Sequence, residues 1–77
     1  MAGTASLRAL GAQIRALREA KGLSQERLAD LAGLHRNFIG LIERGQRNPT
    51  FLTLIALSSK LGLPLSELIE AAEGRGR

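Results

Sequence analysis

Apolar residues recur at spacings of three and four along most of the chain. Leu7, Leu10, Ile14 and Leu17 form one such stripe, which predicts an amphipathic helix over about residues 6–21, ended by Gly22. A second helix is expected over 25–32, with Ser24 as its N-cap, Leu28, Leu31 and Ala32 facing inward, and Gly33 closing it. A third spans 36–44 and stops at Gly45. A fourth, over 51–61, is framed by Pro49 and Thr50 before it and Gly62 after it; Phe51, Leu54, Ile55 and Leu61 make its stripe, which Ser58 interrupts. A fifth starts at Pro64 or Leu65 and runs to Ala72. Proline is tolerated at such a start because the amide it lacks would have no helical partner. The connections are short, so neighbouring helices must pack directly on one another, and the expected fold class is all-α.

Composition agrees with this pattern. The chain has no valine, tyrosine or tryptophan and two phenylalanines, so strand formers are scarce and good helix formers dominate. Its 77 residues fit one domain over 1–77, with loose ends expected at 1–5 and 73–77. A domain of this size buries only about 60% of its unfolded surface, so the core is thin. There is no cysteine, which excludes disulfides and thiolate ligands. No long apolar run or signal-like start is present, so the expectation is a cytoplasmic protein with no membrane association. One histidine and no clustered carboxylates give no metal site and no catalytic constellation: no enzyme, no cofactor and no small-molecule ligand are expected.

The net charge is +4 and is unevenly placed. Residues 1–47 carry eight basic and four acidic side chains, whereas residues 48–77 carry three of each. An anionic partner is one reading of that excess, and solubility is the other.

The excess includes the third helix. On a wheel of about 100° per residue, Leu34, Phe38, Ile39 and Ile42 share one arc, while Arg36, Asn37, Gly40 and Arg44 share the opposite one and Leu41 lies at the border. A cationic, amide-bearing arc at a helix N-terminus suits the DNA major groove, where arginine can fork onto guanine and asparagine onto adenine. Glycine in a helix interior costs about 1 kcal/mol relative to alanine. The wheel sets Gly40 away from internal contacts, so a close approach of backbone to groove is expected there. The second and third helices, joined through Gly33, Leu34 and His35, make a helix-turn-helix.

The segment LSQERLADLAGLHRNFIGLIERGQRNPT resembles the helix-turn-helix core of the Cro/CI-type (lambda-repressor-like, XRE) transcription regulators. The likeness runs from about Leu10 to Leu68. It is carried by Leu23-Ser24-Gln25, Leu28-Ala29, Gly33, Ile42-Glu43-Arg44-Gly45, Asn48-Pro49-Thr50 and Leu61-Gly62-Leu63. The short length and the ERGQRNP stretch are similar to controller proteins of restriction–modification systems. The resemblance implies a compact five-helix DNA-binding domain and roles for particular residues. Arg36 and Asn37 would read bases, and Gly40 and Leu41 would line the groove, with Leu41 able to meet a thymine methyl. Gln25, His35 and Arg47 would hold the DNA backbone. Arg44 would do the same, or only favour its helix C-terminus. Arg18 and Glu43 would form a partly buried ion pair. Family members often carry a further polar side chain where Gly40 and Leu41 stand, so DNA shape would bear more of the specificity.

Such regulators act on double-stranded DNA as dimers that read two half-sites. Leu57 and Leu61 of the fourth helix and Leu65, Leu68 and Ile69 of the fifth are more than a thin core needs, and the surplus is expected to form a homodimer interface. The expected function is a sequence-specific regulator bound to a (pseudo)palindromic operator. The alternative is a protein-interaction module of the same fold, antitoxin-like or a co-regulator, which would have no need of a converging basic arc.

Overall fold

A computed structural model describes residues 6–74. Among them are five helices: α1 (Leu7–Ala20), α2 (Gln25–Ala32), α3 (Arg36–Glu43), α4 (Phe51–Leu61) and α5 (Leu65–Ala72). Each start has a local cause. Ser6, Ser24 and Thr50 accept hydrogen bonds from the amides of Ala9, Arg27 and Thr53 at 3.0, 2.9 and 3.1 Å, which occupies donors that the first turn leaves unpaired. His35 caps α3 with Nδ1, accepting from Asn37 N at 3.1 Å. Pro64 caps α5 with no side-chain hydrogen bond. Between α2 and α3 the chain reverses at Gly33 with φ +72, a left-handed conformation that side chains resist. Leu34 N then donates back to Ala29 O at 2.8 Å.

Every helix contributes to the core. Ile14, Leu28, Ile39, Ile42, Leu57 and Leu68 are fully buried, each stabilising the fold by about 1.5–3 kcal/mol relative to exposure. α3 packs between α1 and α2, while α1 also packs on α5 and α4 packs on α2 and α5. α1 and α3 cross in backbone contact at Gly11, where a Cβ would run into the carbonyl oxygens of Ile42 and Glu43.

Several expected faces are turned. Phe51 and Ile55 are exposed at 64% and 42%, and Leu57 and Ser58 face the core instead, beside Leu61, which is buried as expected. α4 is apolar over most of its circumference, so its own periodicity does not select a face, and packing on α2 and α5 does. Ser58 is satisfied there by donating to Ile55 O at 3.2 Å. Leu57, Leu61 and Leu68 are therefore core residues and not interface residues; Leu65 and Ile69 are half-buried. Leu31 is exposed and Ala29 takes the inward place beside Leu28; Leu7 is exposed at the open end of the α1 stripe. Of the loose ends expected at 1–5 and 73–77, residues 1–5 and 75–77 lie outside the described residues. Glu73 and Gly74 are tied down, their amides donating to Ile69 O and Ala71 O.

Candidate nucleic-acid interface

The N-terminal ends of α2 and α3 meet at an open recess. Ser24, Gln25 and Glu26 form one side, Arg36, Asn37, Gly40, Leu41 and Arg44 the other, and Arg18 lies beneath. The first turn of α2 presents unpaired amides and the positive end of the helix dipole to this space. Arg36 and Asn37 are exposed. Arg36 approaches Glu26 at 3.8 Å, with both side chains more than 60% exposed; such a pair contributes little and gives way easily.

The floor is held by a buried ion pair. Arg18 Nε and Nη2 donate to Glu43 Oε2 and Oε1 at 2.7 and 3.1 Å, a fork-on-fork pairing. Arg18 Nη1 donates to Leu23 O at 2.8 Å. The hydrogen bonds that Arg18 donates to Glu43 hold its guanidinium above its ordinary pKa, against the opposing effect of burial, with the charges of Glu43 and Glu19 assisting. Gln25 Nε2 donates to Glu43 Oε1 at 3.0 Å. Glu43 is thus electrically spent, and the exposed charges around the recess are Arg36, Arg44 and Arg47 against the single carboxylate of Glu26.

Gly40 lies on the recess side of α3, where the wheel sets it, but side chains cover it: a Cβ there would meet Arg44 Nη1 at 3.2 Å and Gln25 Oε1 at 3.6 Å. The side chains that cover it arrive from α2 and from the next turn, which a wheel of α3 alone does not show. Leu41 is half-buried and borders two recesses. The second recess is lined by His35, Asn37, Phe38, Leu41 and Arg47. His35 accepts at Nδ1, which leaves Nε2 as the second hydrogen-bonding atom of its ring. The Arg47 guanidinium lies 5.2 Å from the centre of the Phe38 ring, a cation–π contact. Arg44 is exposed, with Nε donating to Gln46 Oε1 at 3.1 Å. One positioning residue escaped the sequence reading. Gly11 sets the α1–α3 distance, and its signal was the same one noticed at Gly40, a glycine inside a helix.

Among the described residues no group of His, Cys, Asp or Glu could hold a metal ion, and no single helix is long and apolar enough to cross a membrane.

Comparison with known proteins places this geometry. A helix-turn-helix family model matches residues 14–68. The control protein C.SmaI of Serratia marcescens is 43% identical over 60 residues, covering 78% of this chain and 71% of that one. The crystal structure of the restriction–modification controller protein C.AhdI from Aeromonas hydrophila superposes with a TM-score of 0.79 at 47% identity, over 80% of this chain and 94% of that one. That of SinR, a master regulator for biofilm formation, in complex with DNA superposes with a TM-score of 0.73 at 32% identity, over 77% and 95%. These relatives are regulators and not enzymes. The chain belongs to the helix-turn-helix family of Cro/CI-type, sequence-specific DNA-binding transcription regulators, and is closely related to the restriction–modification controller proteins.

Proposed function

We propose that the protein binds a (pseudo)palindromic operator as a homodimer, with α3 in the major groove. The observation that carries this reading is the recess between α2 and α3. It gathers Arg36, Asn37 and Arg44 beside the free amides of α2, while the carboxylate of Glu43 is neutralised from within by Arg18. Arg36 and Asn37 read base edges. Gln25, His35, Arg44 and Arg47 hold phosphates, and Leu41 offers an apolar contact to a thymine methyl. Gly40, beneath Gln25 and Arg44, keeps the floor low enough for those two side chains to lie flat. Direct readout rests on few side chains, so operator shape carries a larger share of specificity.

The second protomer docks on α4. Phe51, Leu52 and Ile55 are 64%, 75% and 42% exposed and neighbour one another on the helix face opposite Leu57 and Leu61. This cluster stands in for Leu57, Leu61 and Leu68, which the core takes up, while Leu65 and Ile69 stay half-buried on α5. Dimer assembly then sets the response to protein concentration, and the site of action is the cytoplasm, with the DNA. A random-site selection on the purified protein tests the reading. It should return two related half-sites about 34 Å apart, one turn of the duplex. Recovery of no common sequence would reject it in favour of a protein-interaction module.

A further inference from the structure

Beside the groove-facing surface lies a second cationic recess, which shares Arg44 with it and whose α1 wall none of the contacts above uses. Arg8, Ala12 and Arg15 of α1 form one wall, and Glu43, Arg44 and Gln46 form the other. The spacing of four and three puts the α1 residues on one helix face. Gly45 draws the walls together. It has φ +73, and a Cβ there would stand 2.9 Å from Arg8 Cα and Cγ, so the chain leaving α3 lies on the Arg8 stem.

The balance of charge in this recess is positive. The Glu43 side chain is 3% exposed and committed to Arg18 and Gln25. Arg8 has no acidic partner within ion-pair distance among the described residues. Arg15 pairs with Glu19 at 3.1 Å, with side chains 64% and 54% exposed, and such a pair yields readily to a stronger anion. Arg44 borders both recesses, so the two cationic surfaces are continuous.

We propose that Arg8 and Arg15 bind phosphate groups of the DNA backbone beyond the groove contacts of α3, with Arg44 bridging the two surfaces, a role that rests on the DNA-binding reading above. Arginine forks onto phosphate oxygens in two parallel hydrogen bonds. The continuity through Arg44 favours DNA over an acidic protein surface, because a strand passing Arg44 meets Arg8 and Arg15 next. These residues anchor without reading sequence.

The test uses the full chain and an operator duplex obtained by selection. Binding is measured over a series of salt concentrations for the wild type, Arg8→Gln, Arg15→Gln, the double Gln variant and the double Lys variant. Each phosphate contact contributes about 0.9 to the slope of log affinity on log salt. Each Gln variant should flatten the slope by about one unit and the double by about two. The double Lys variant should restore it, and the base preference should not move. Ethylation interference should lose the corresponding phosphates in the double Gln variant. Wild-type binding with an unchanged slope and interference pattern in that variant overturns the proposal, leaves DNA binding standing and points to an acidic protein partner. A wild type that binds no DNA specifically overturns the DNA-binding reading and this proposal with it.

Discussion

Gln25 Nε2 donates to Glu43 Oε1 at 3.0 Å, joining the first residue of α2 to the last residue of α3. Arg18 Nη2 donates to the same oxygen at 3.1 Å. A single carboxylate therefore fastens three helices, and the surface proposed for DNA is bolted to the core. A glutamine amide has two donor hydrogens and an acceptor oxygen. Glu43 engages one hydrogen and leaves the rest of the group at the recess, held in place before DNA arrives.

Glu43→Ala should destabilise the fold by about 3–5 kcal/mol, the cost of leaving a buried charge without its partner. Stability of about 0.05–0.15 kcal/mol per residue makes that a large part of the total. Replacing both partners, as in Arg18→Met with Glu43→Leu, should cost much less, since two buried charges leave together. Denaturant unfolding checks both, and a single substitution as mild as the double one contradicts the buried pair.

Gly11→Ala and Gly40→Ala should move stability in opposite directions. Alanine gains about 1 kcal/mol of helix propensity over glycine at either site. At Gly11 the new methyl meets the backbone carbonyls of Ile42 and Glu43. Overpacking of this kind costs about 1–3 kcal/mol, and rigid backbone on both sides sets the upper end, so the melting temperature falls. At Gly40 the neighbours are the far ends of Arg44 and Gln25, which can swing aside, so the melting temperature holds or rises. DNA affinity should fall even so, because those two ends are then displaced from the recess.

Arg36→Ala should weaken specific binding by about 1–3 kcal/mol and relax selectivity at one base position. A base-preference profile that stays the same after the substitution would remove Arg36 as a reader.

Arg47→Ala should weaken binding to all sequences alike and flatten the salt slope by about one unit. It should also lose a few tenths of a kcal/mol to about 1 kcal/mol of stability, since the guanidinium covers the Phe38 ring. Titrations on specific and random duplexes at several salt concentrations separate the two effects.

Leu52→Glu should yield monomers by sedimentation and weaken operator binding steeply, while leaving the fold intact, because Leu52 is 75% exposed. An unchanged dimer would exclude the α4 cluster as the interface.

Helix ends were legible in the sequence because their causes are local. Ser24 and Thr50 cap by reaching three residues forward, and Gly33 and Gly62 stop helices where φ turns positive. The arc bearing Arg36 and Asn37 was legible for a similar reason, since polar residues opposite Ile39 and Ile42 have nowhere to go but out. The face of α4 was not legible. Six apolar residues stand among its first seven positions, and only contact with other helices decides which are covered. The covering of Gly40 was not legible for a related reason, because burial by a side chain of α2 leaves no trace in the periodicity of α3.

Arg36 and Asn37 stand exposed on the same eight residues that bury Ile39 and Ile42. Substitutions at exposed positions of this kind usually shift stability by no more than about 0.5 kcal/mol. The protein can therefore exchange one recognition sequence for another through intermediates that all fold. Lineages built on this scaffold are free to diverge in the operators they serve while the architecture beneath stays constant.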